Sequence, residues 1–282
     1  MYRGKGQLRI YPNYCCYGFP LEEKAATNDD FSKGILMSKL PNSLWLNTSP
    51  CLQSLDLPLL RYLSKQISIA RWEYSQTQDE ASSLNVAGQL LHNYLQSCEQ
   101  PVHLIGHGTS GLLGLLYARL YPEKVRSLTL LAVGVHPAVD WQAHYYIHRR
   151  VLSRGATLRA MAYNLFGYHN ECTIKRLEKI LEQDLDCSLS PHSLFGGLSI
   201  LPGGVGVPMM ICGCQDDMIV ESDALRGWQP WLKEGDRIWS CPQGGHFFHF
   251  FYPQQVGQSI LEFWQSLDQL DTLCSTQTYA RI

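Results

Sequence analysis

Three short stretches of the 282-residue chain hold side chains that could move protons or attack a carbon. The first is "GHGTSG" (106–111), glycine-rich and bearing the hydroxyls of Thr109 and Ser110. The second is "GCQDDMIV" (213–220), with the paired carboxylates Asp216 and Asp217, and the third is "GGHFFHF" (244–250), with His246 and His249. A hydroxyl, an imidazole and a carboxylate make up the set needed for nucleophilic acyl transfer: an attacking oxygen, a base to take its proton, and an acid to orient the base. Without the hydroxyl, an imidazole and a carboxylate can still act as a general base. Each residue also has an ordinary reading. An Asp after a strand often forms a turn, hydroxyls at a helix start often cap it, and buried cysteines such as Cys51 usually only pack.

The elements that would carry these stretches read as alternating strands and helices. Apolar runs at 43–47, 67–74, 101–107, 125–133, 208–214 and 236–241 predict buried strands, and helical spacing occupies 55–65, 80–98, 109–122 and 253–267. That alternation predicts an α/β fold: a mostly parallel central sheet flanked by helices. It breaks at 135–205, a helical and aromatic segment too long for a loop, which reads as an inserted cap. The predicted organisation is a core of 1–134 and 206–282 with a cap of 135–205. "QLRIYPNYCCY" suits an edge strand or hairpin, and "STQTYARI" reads as a polar tail.

Composition excludes several classes. Hydrophobic residues make up 45% and charged residues 17%, enough for a large core and too little charge for disorder. Net charge is −2 with no basic run, so nucleic acid is not an expected partner. No apolar run is long enough for a membrane span. The ten cysteines form no CxxC pair. Neither a zinc site nor a disulfide framework is therefore expected, no metal or cofactor is called for, and a reducing cytoplasmic location is the expectation.

With these stretches in order and a cap between them, residues 40–265 resemble the α/β-hydrolase superfamily. "HLIGHGTSGLLGLLYA" is similar to its nucleophile elbow, G-x-S-x-G, between strand and helix. By that register Gly108 stands at the nucleophile position, which is thus vacant, and Ser110 stands where the pattern has its last glycine. The resemblance makes Asp217 the acid, with Asp216 as alternative, and His246 the base, with His107 as the filler before the elbow and His249 as a packing or surface residue. It points to Thr109 and Ser49 as oxyanion donors, although "LNTSPC" (46–51) lacks the family's usual His-Gly there. Three readings follow: a non-hydrolytic protein binding a small apolar or aromatic molecule under the cap, or a protein partner; general-base chemistry by His246 and Asp217; or an esterase with a displaced nucleophile, Ser110 before Ser49 or Cys51. The cap aromatics Trp141, Tyr145, Tyr146, Tyr163, Phe166 and Tyr168 either seal the cap or line a ligand pocket.

Overall fold

A computed structural model describes residues 8–9, 42–77 and 79–279. The adjacent cysteines Cys15 and Cys16 and most of the expected N-terminal hairpin lie outside the described residues. Among the described residues the sheet has seven strands, β1 (Leu8–Arg9), β2 (Ser43–Asn47), β3 (Ile69–Glu73), β4 (Val102–His107), β5 (Val125–Leu131), β6 (Met209–Cys214) and β7 (Arg237–Cys241). Their order is β1-β3-β2-β4-β5-β6-β7. The two-residue β1 runs antiparallel to β3 at the edge, and the other six strands are parallel. Strands β2, β4 and β6 are buried almost throughout, as their unbroken apolar runs require when both faces are covered.

Period-two alternation sorts each strand between the two faces. Leu44, Leu46, Leu104, Leu128 and Leu130 point to one core, shared with α2 (Leu84–Gln96), α3 (Thr109–Leu120) and residues of the helical insert. Trp45, Ile105, Leu131, Met210 and Cys212 point to the other, packed with α1 (Leu57–Leu63) and α9 (Pro253–Tyr279). The insert lies between β5 and β6 as α4 (Trp141–His148), α5 (Arg154–Phe166) and α6 (Glu171–Cys187). Asp140, Ser153 and Asn170 cap the three N-termini, each side-chain oxygen accepting a backbone N–H from inside the first turn.

Element boundaries differ from the sequence expectation mostly by one to four residues. The larger difference is at the C-terminus, where α9 continues to Tyr279 and absorbs most of the stretch expected to be a tail. Its polar residues are compatible with helix propensity even though their apolar stripe fades.

Candidate active site

The singled-out stretches meet at the carboxyl ends of the parallel strands, where open α/β sheets place their ligands. Gly108 joins β4 to α3 at φ 52°, ψ −124°, a left-handed conformation that a side chain strains to adopt. Its N–H donates to the Leu131 carbonyl at 3.0 Å, fixing the turn to the end of β5. A Cβ built on Gly108 would meet nothing within 4 Å, so there is room at this position. The close approach of strand and helix rests on Gly106 and Gly111 instead. A Cβ on Gly106 would lie 2.6 Å from backbone atoms of Ser110 and Gly111. Ser110 is thus not the position that needs to be glycine.

The two neighbouring hydroxyls are engaged elsewhere. Ser110 Oγ accepts the Thr48 N–H at 2.9 Å and lies 3.0 Å from Thr48 Oγ1. Thr109 Oγ1 donates to Asp140 Oδ2, and the other Asp140 oxygen caps α4 through the Ala143 N–H at 2.9 Å. Of the two expected oxyanion donors, Thr109 N–H opens α3, where a donor has no partner inside the helix. The Ser49 N–H, by contrast, is taken up by Asn47 Oδ1 at 3.0 Å.

Asp217, in the loop after β6, lies 3.0 Å from His246 Nδ1, and both are buried. Burial pushes the Asp217 carboxyl up, but the His246 imidazole and the N–H groups of Ile219 and Val220 outweigh it and hold the acid below its usual range. A charged Asp217 at Nδ1 fixes the tautomer with the proton there, leaving Nε2 as a proton acceptor. Asp216 turns away, accepting the Gly244 and Gly245 N–H groups at 3.3 and 2.8 Å and so shaping the glycine turn ahead of His246.

A second acid–imidazole pair sits alongside, one the sequence reading treated as packing. His249 Nε2 lies 3.1 Å from Asp56 Oδ1, and Asp56 Oδ2 accepts the Trp45 indole N–H at 3.1 Å. Burial raises Asp56 to about 7, and burial, with repulsion from the neighbouring His246 ring, lowers His249 to about 3. The pair therefore carries one proton between two neutral groups through the acidic range. His107 bridges the two pairs: its ring centroid is 4.7 Å from those of both His246 and His249. Its Nε2 lies 2.9 Å from the His246 carbonyl. Burial, with those two neighbours, keeps its own pKa well below the usual histidine value. Asp56 carried no spacing signal, because it reaches His249 across 193 residues.

The enclosed cavity at this site is small, about 30 Å³, lined by Asn47, Ser49, Asp56, His107, Gly108, Trp141, His246 and Phe247 among others. That admits a water or two. Beyond the glycine turn lies an open cleft of about 440 Å³, lined by Tyr163, Phe166, Tyr168, Met218, Phe251 and Tyr252. Phe166 of the cleft stacks on Phe247 of the cavity, centroids 5.1 Å apart and planes within 5°. Of the insert aromatics, then, Trp141 meets the cavity, Tyr145 is buried, and Tyr163, Phe166 and Tyr168 face the cleft.

Solved structures with this architecture define the fold class. Naproxen esterase from Bacillus subtilis superposes with a TM-score of 0.62 at 13% identity, covering 80% of this chain and 84% of that one. A membrane phospholipase A gives 0.62 at 16% identity, covering 82% and 80%. The chain has the α/β-hydrolase fold, with α4–α6 as its helical insert. No established family model matches it. Among curated proteins it is 47% identical over 239 residues to the uncharacterized protein sll0249 of Synechocystis sp., covering 84% of this chain and 95% of that protein. It is also 47% identical over 224 residues to the uncharacterized protein alr2406 of Nostoc sp., covering 79% and 90%. The chain belongs to the family of these two proteins. No helix among the described residues is long and apolar enough to cross a membrane.

Proposed function

We propose that this protein works without an acyl-enzyme, as a non-hydrolytic member of its fold class that binds a small aromatic molecule and presents His246 to it as a proton acceptor. One observation carries the reading. Gly108 offers no nucleophile, and the two hydroxyls that follow it in the chain, Thr109 and Ser110, are turned to Asp140 and Thr48. The base and its orienting acid are nonetheless 3.0 Å apart and buried, in the arrangement a general base needs. The aromatic cleft supplies an apolar surface of ligand size next to that base, behind the Phe166–Phe247 stack.

The test uses a fluorophosphonate probe and 1-naphthol, an aromatic with one weakly acidic proton. The native chain is expected to resist labelling and to leave p-nitrophenyl acetate unhydrolysed. It is expected to bind 1-naphthol, with weaker affinity in His246→Ala and in Tyr163→Ala. Labelling that Ser110→Ala abolishes would replace this reading with a displaced nucleophile. Naphthol affinity indifferent to His246→Ala would leave the Asp217–His246 pair without a role at the site.

A further inference from the structure

Away from this site, the fold brings together three metal-ligating side chains separated by 136 residues of sequence. Cys51 lies in the 3₁₀ turn after β2 (Pro50–Leu55), and Asp184 and Cys187 lie in the last turn of α6. Their ligand atoms are all within 4.8 Å of one another, with the two sulfurs 2.9 Å apart. Asp184 is fully buried, and neither carboxylate oxygen meets a well-aligned donor among the described residues; burial raises the acid to about 8 although the Ser188, Gln142 and Ser49 side chains lie close enough to oppose the rise. Ser188 Oγ donates to the Asp184 main-chain carbonyl at 2.6 Å, and Gln142 Nε2 donates to Ser188 Oγ at 2.7 Å. Gln142 Oε1 is itself buried and unpartnered. A buried carboxylate with both oxygens short of a well-aligned donor calls for a physical explanation.

We propose that Cys51, Asp184 and Cys187 form a three-ligand site for a thiophilic divalent cation of the Zn²⁺ class, which clips the last turn of α6 to the loop after β2. Two thiolates and a carboxylate suit such a cation, with solvent reaching the fourth position past the half-buried sulfurs. Binding displaces the thiol protons to water. Two Zn–S bonds of about 2.3 Å at a tetrahedral angle set the sulfurs about 3.7 Å apart, so they part by a little under 1 Å on binding. A disulfide would need a comparable movement inward, to about 2.05 Å, and would leave the Asp184 oxygens as short of a well-aligned donor as before. The cation accounts for all three side chains and the disulfide for only two. The inference is independent of the role of His246.

The test uses the untagged full-length chain, reduced, stripped with chelator and titrated anaerobically with Co²⁺. One equivalent is expected to bind with thiolate-to-cobalt charge-transfer absorption, and Zn²⁺ is expected to displace it. Cys51→Ser and Cys187→Ser should each reduce the absorption and weaken binding more than about 100-fold, beyond what outer-shell groups carry, and the double serine variant should abolish the absorption. Asp184→Asn should weaken binding about 10-fold or more with the absorption retained. For variants that do not fold, the native chain gives a second reading: Zn²⁺ should protect Cys51 and Cys187 from iodoacetamide, mapped by peptide mass. Absorption that survives the double serine variant, absence of zinc protection, or isolation of the pair as a disulfide with no cobalt bound would each overturn the site.

Discussion

Introducing a hydroxyl at Gly108 puts the alignment of the whole site to the test. The space exists, since a Cβ there meets nothing within 4 Å. The penalty is backbone strain: a non-glycine residue at φ 52°, ψ −124° costs about 1–3 kcal/mol. At roughly 2–4 °C per kcal/mol for a chain of this size, Gly108→Ser should melt several degrees below the native protein while staying folded at 25 °C. The gain is an Oγ at the turn with the Asp217–His246 pair behind it. The oxyanion side is only half ready, because Ser49 N–H is held by Asn47 Oδ1 and Thr48 N–H by Ser110 Oγ, leaving Thr109 N–H. One missing donor typically costs about 10²–10³ in rate. Gly108→Ser alone should therefore give weak turnover of p-nitrophenyl acetate and one equivalent of fluorophosphonate on the peptide spanning residue 108. Adding Asn47→Ala, which frees the Ser49 donor, should raise turnover by up to about 100-fold. Both effects should vanish with His246→Ala. A folded Gly108→Ser chain that takes up no label would refute the alignment of His246 with the turn.

Three further outcomes are expected. Gly106→Ala drives a Cβ to 2.6 Å from backbone that cannot move freely, and should cost about 2–3 kcal/mol, read as a fall in Tm. Asp56→Ala strands the Trp45 and His249 partners and should cost about 2–4 kcal/mol in urea unfolding, whereas Asp56→Asn, close to the neutral form burial already favours, should cost less than half of that. Acid should destabilise the protein below about pH 6.5. His103, lowered to about 3 by burial and the Arg126 charge, and His107 both stay neutral when folded but take up protons when unfolded. Their stabilisation is present above the unfolded histidine pKa and lost as pH falls. The Asp56–His249 pair drops out, since it gains a proton on the acid and loses one from the imidazole on folding. His103 and His107 each add a limiting slope of about 1.4 kcal/mol per pH unit, and Asp184, which burial raises to about 8 and which therefore gains a proton on folding, offsets one of the two. His103→Phe, which can keep the ring stacking on Trp264, should lower the slope by about 1.4 kcal/mol per pH unit in denaturation measured between pH 4 and 6.

Much of this architecture was legible because its signals are local. The apolar strands, the glycine turn at 106–111 and the break after β5 each announce themselves within a few residues. The Asp217–His246 proximity followed from the chain order of the stretches in a resembling family. What escaped the sequence is long-range and polar. Asp56 and His249 pair across 193 residues, and Cys51 meets Asp184 and Cys187 across more than 130, so no spacing rule relates them. His249 sits among phenylalanines and was indistinguishable from packing until its carboxylate partner was in place. The engagement of the Ser110 hydroxyl and the Ser49 amide with the loop after β2 depends on side-chain directions that residue types alone do not set.

The helical insert is fastened at both ends. At its entry Asp140 binds Thr109 of α3, and His192 Nε2 lies 2.6 Å from the Ala138 carbonyl; at its exit the Leu189 N–H reaches the Thr48 carbonyl at 3.0 Å. On the proposed reading, a ligand in the cleft reaches His246 past the stacked pair Phe166 and Phe247, so that admission is a matter of side-chain rotamers. Such a door imposes a tax on affinity: were it open one part in a hundred, every ligand would bind about 2.7 kcal/mol more weakly than its contacts alone dictate. The same tax would fall equally on all ligands, leaving selectivity to the cleft and occupancy to the door.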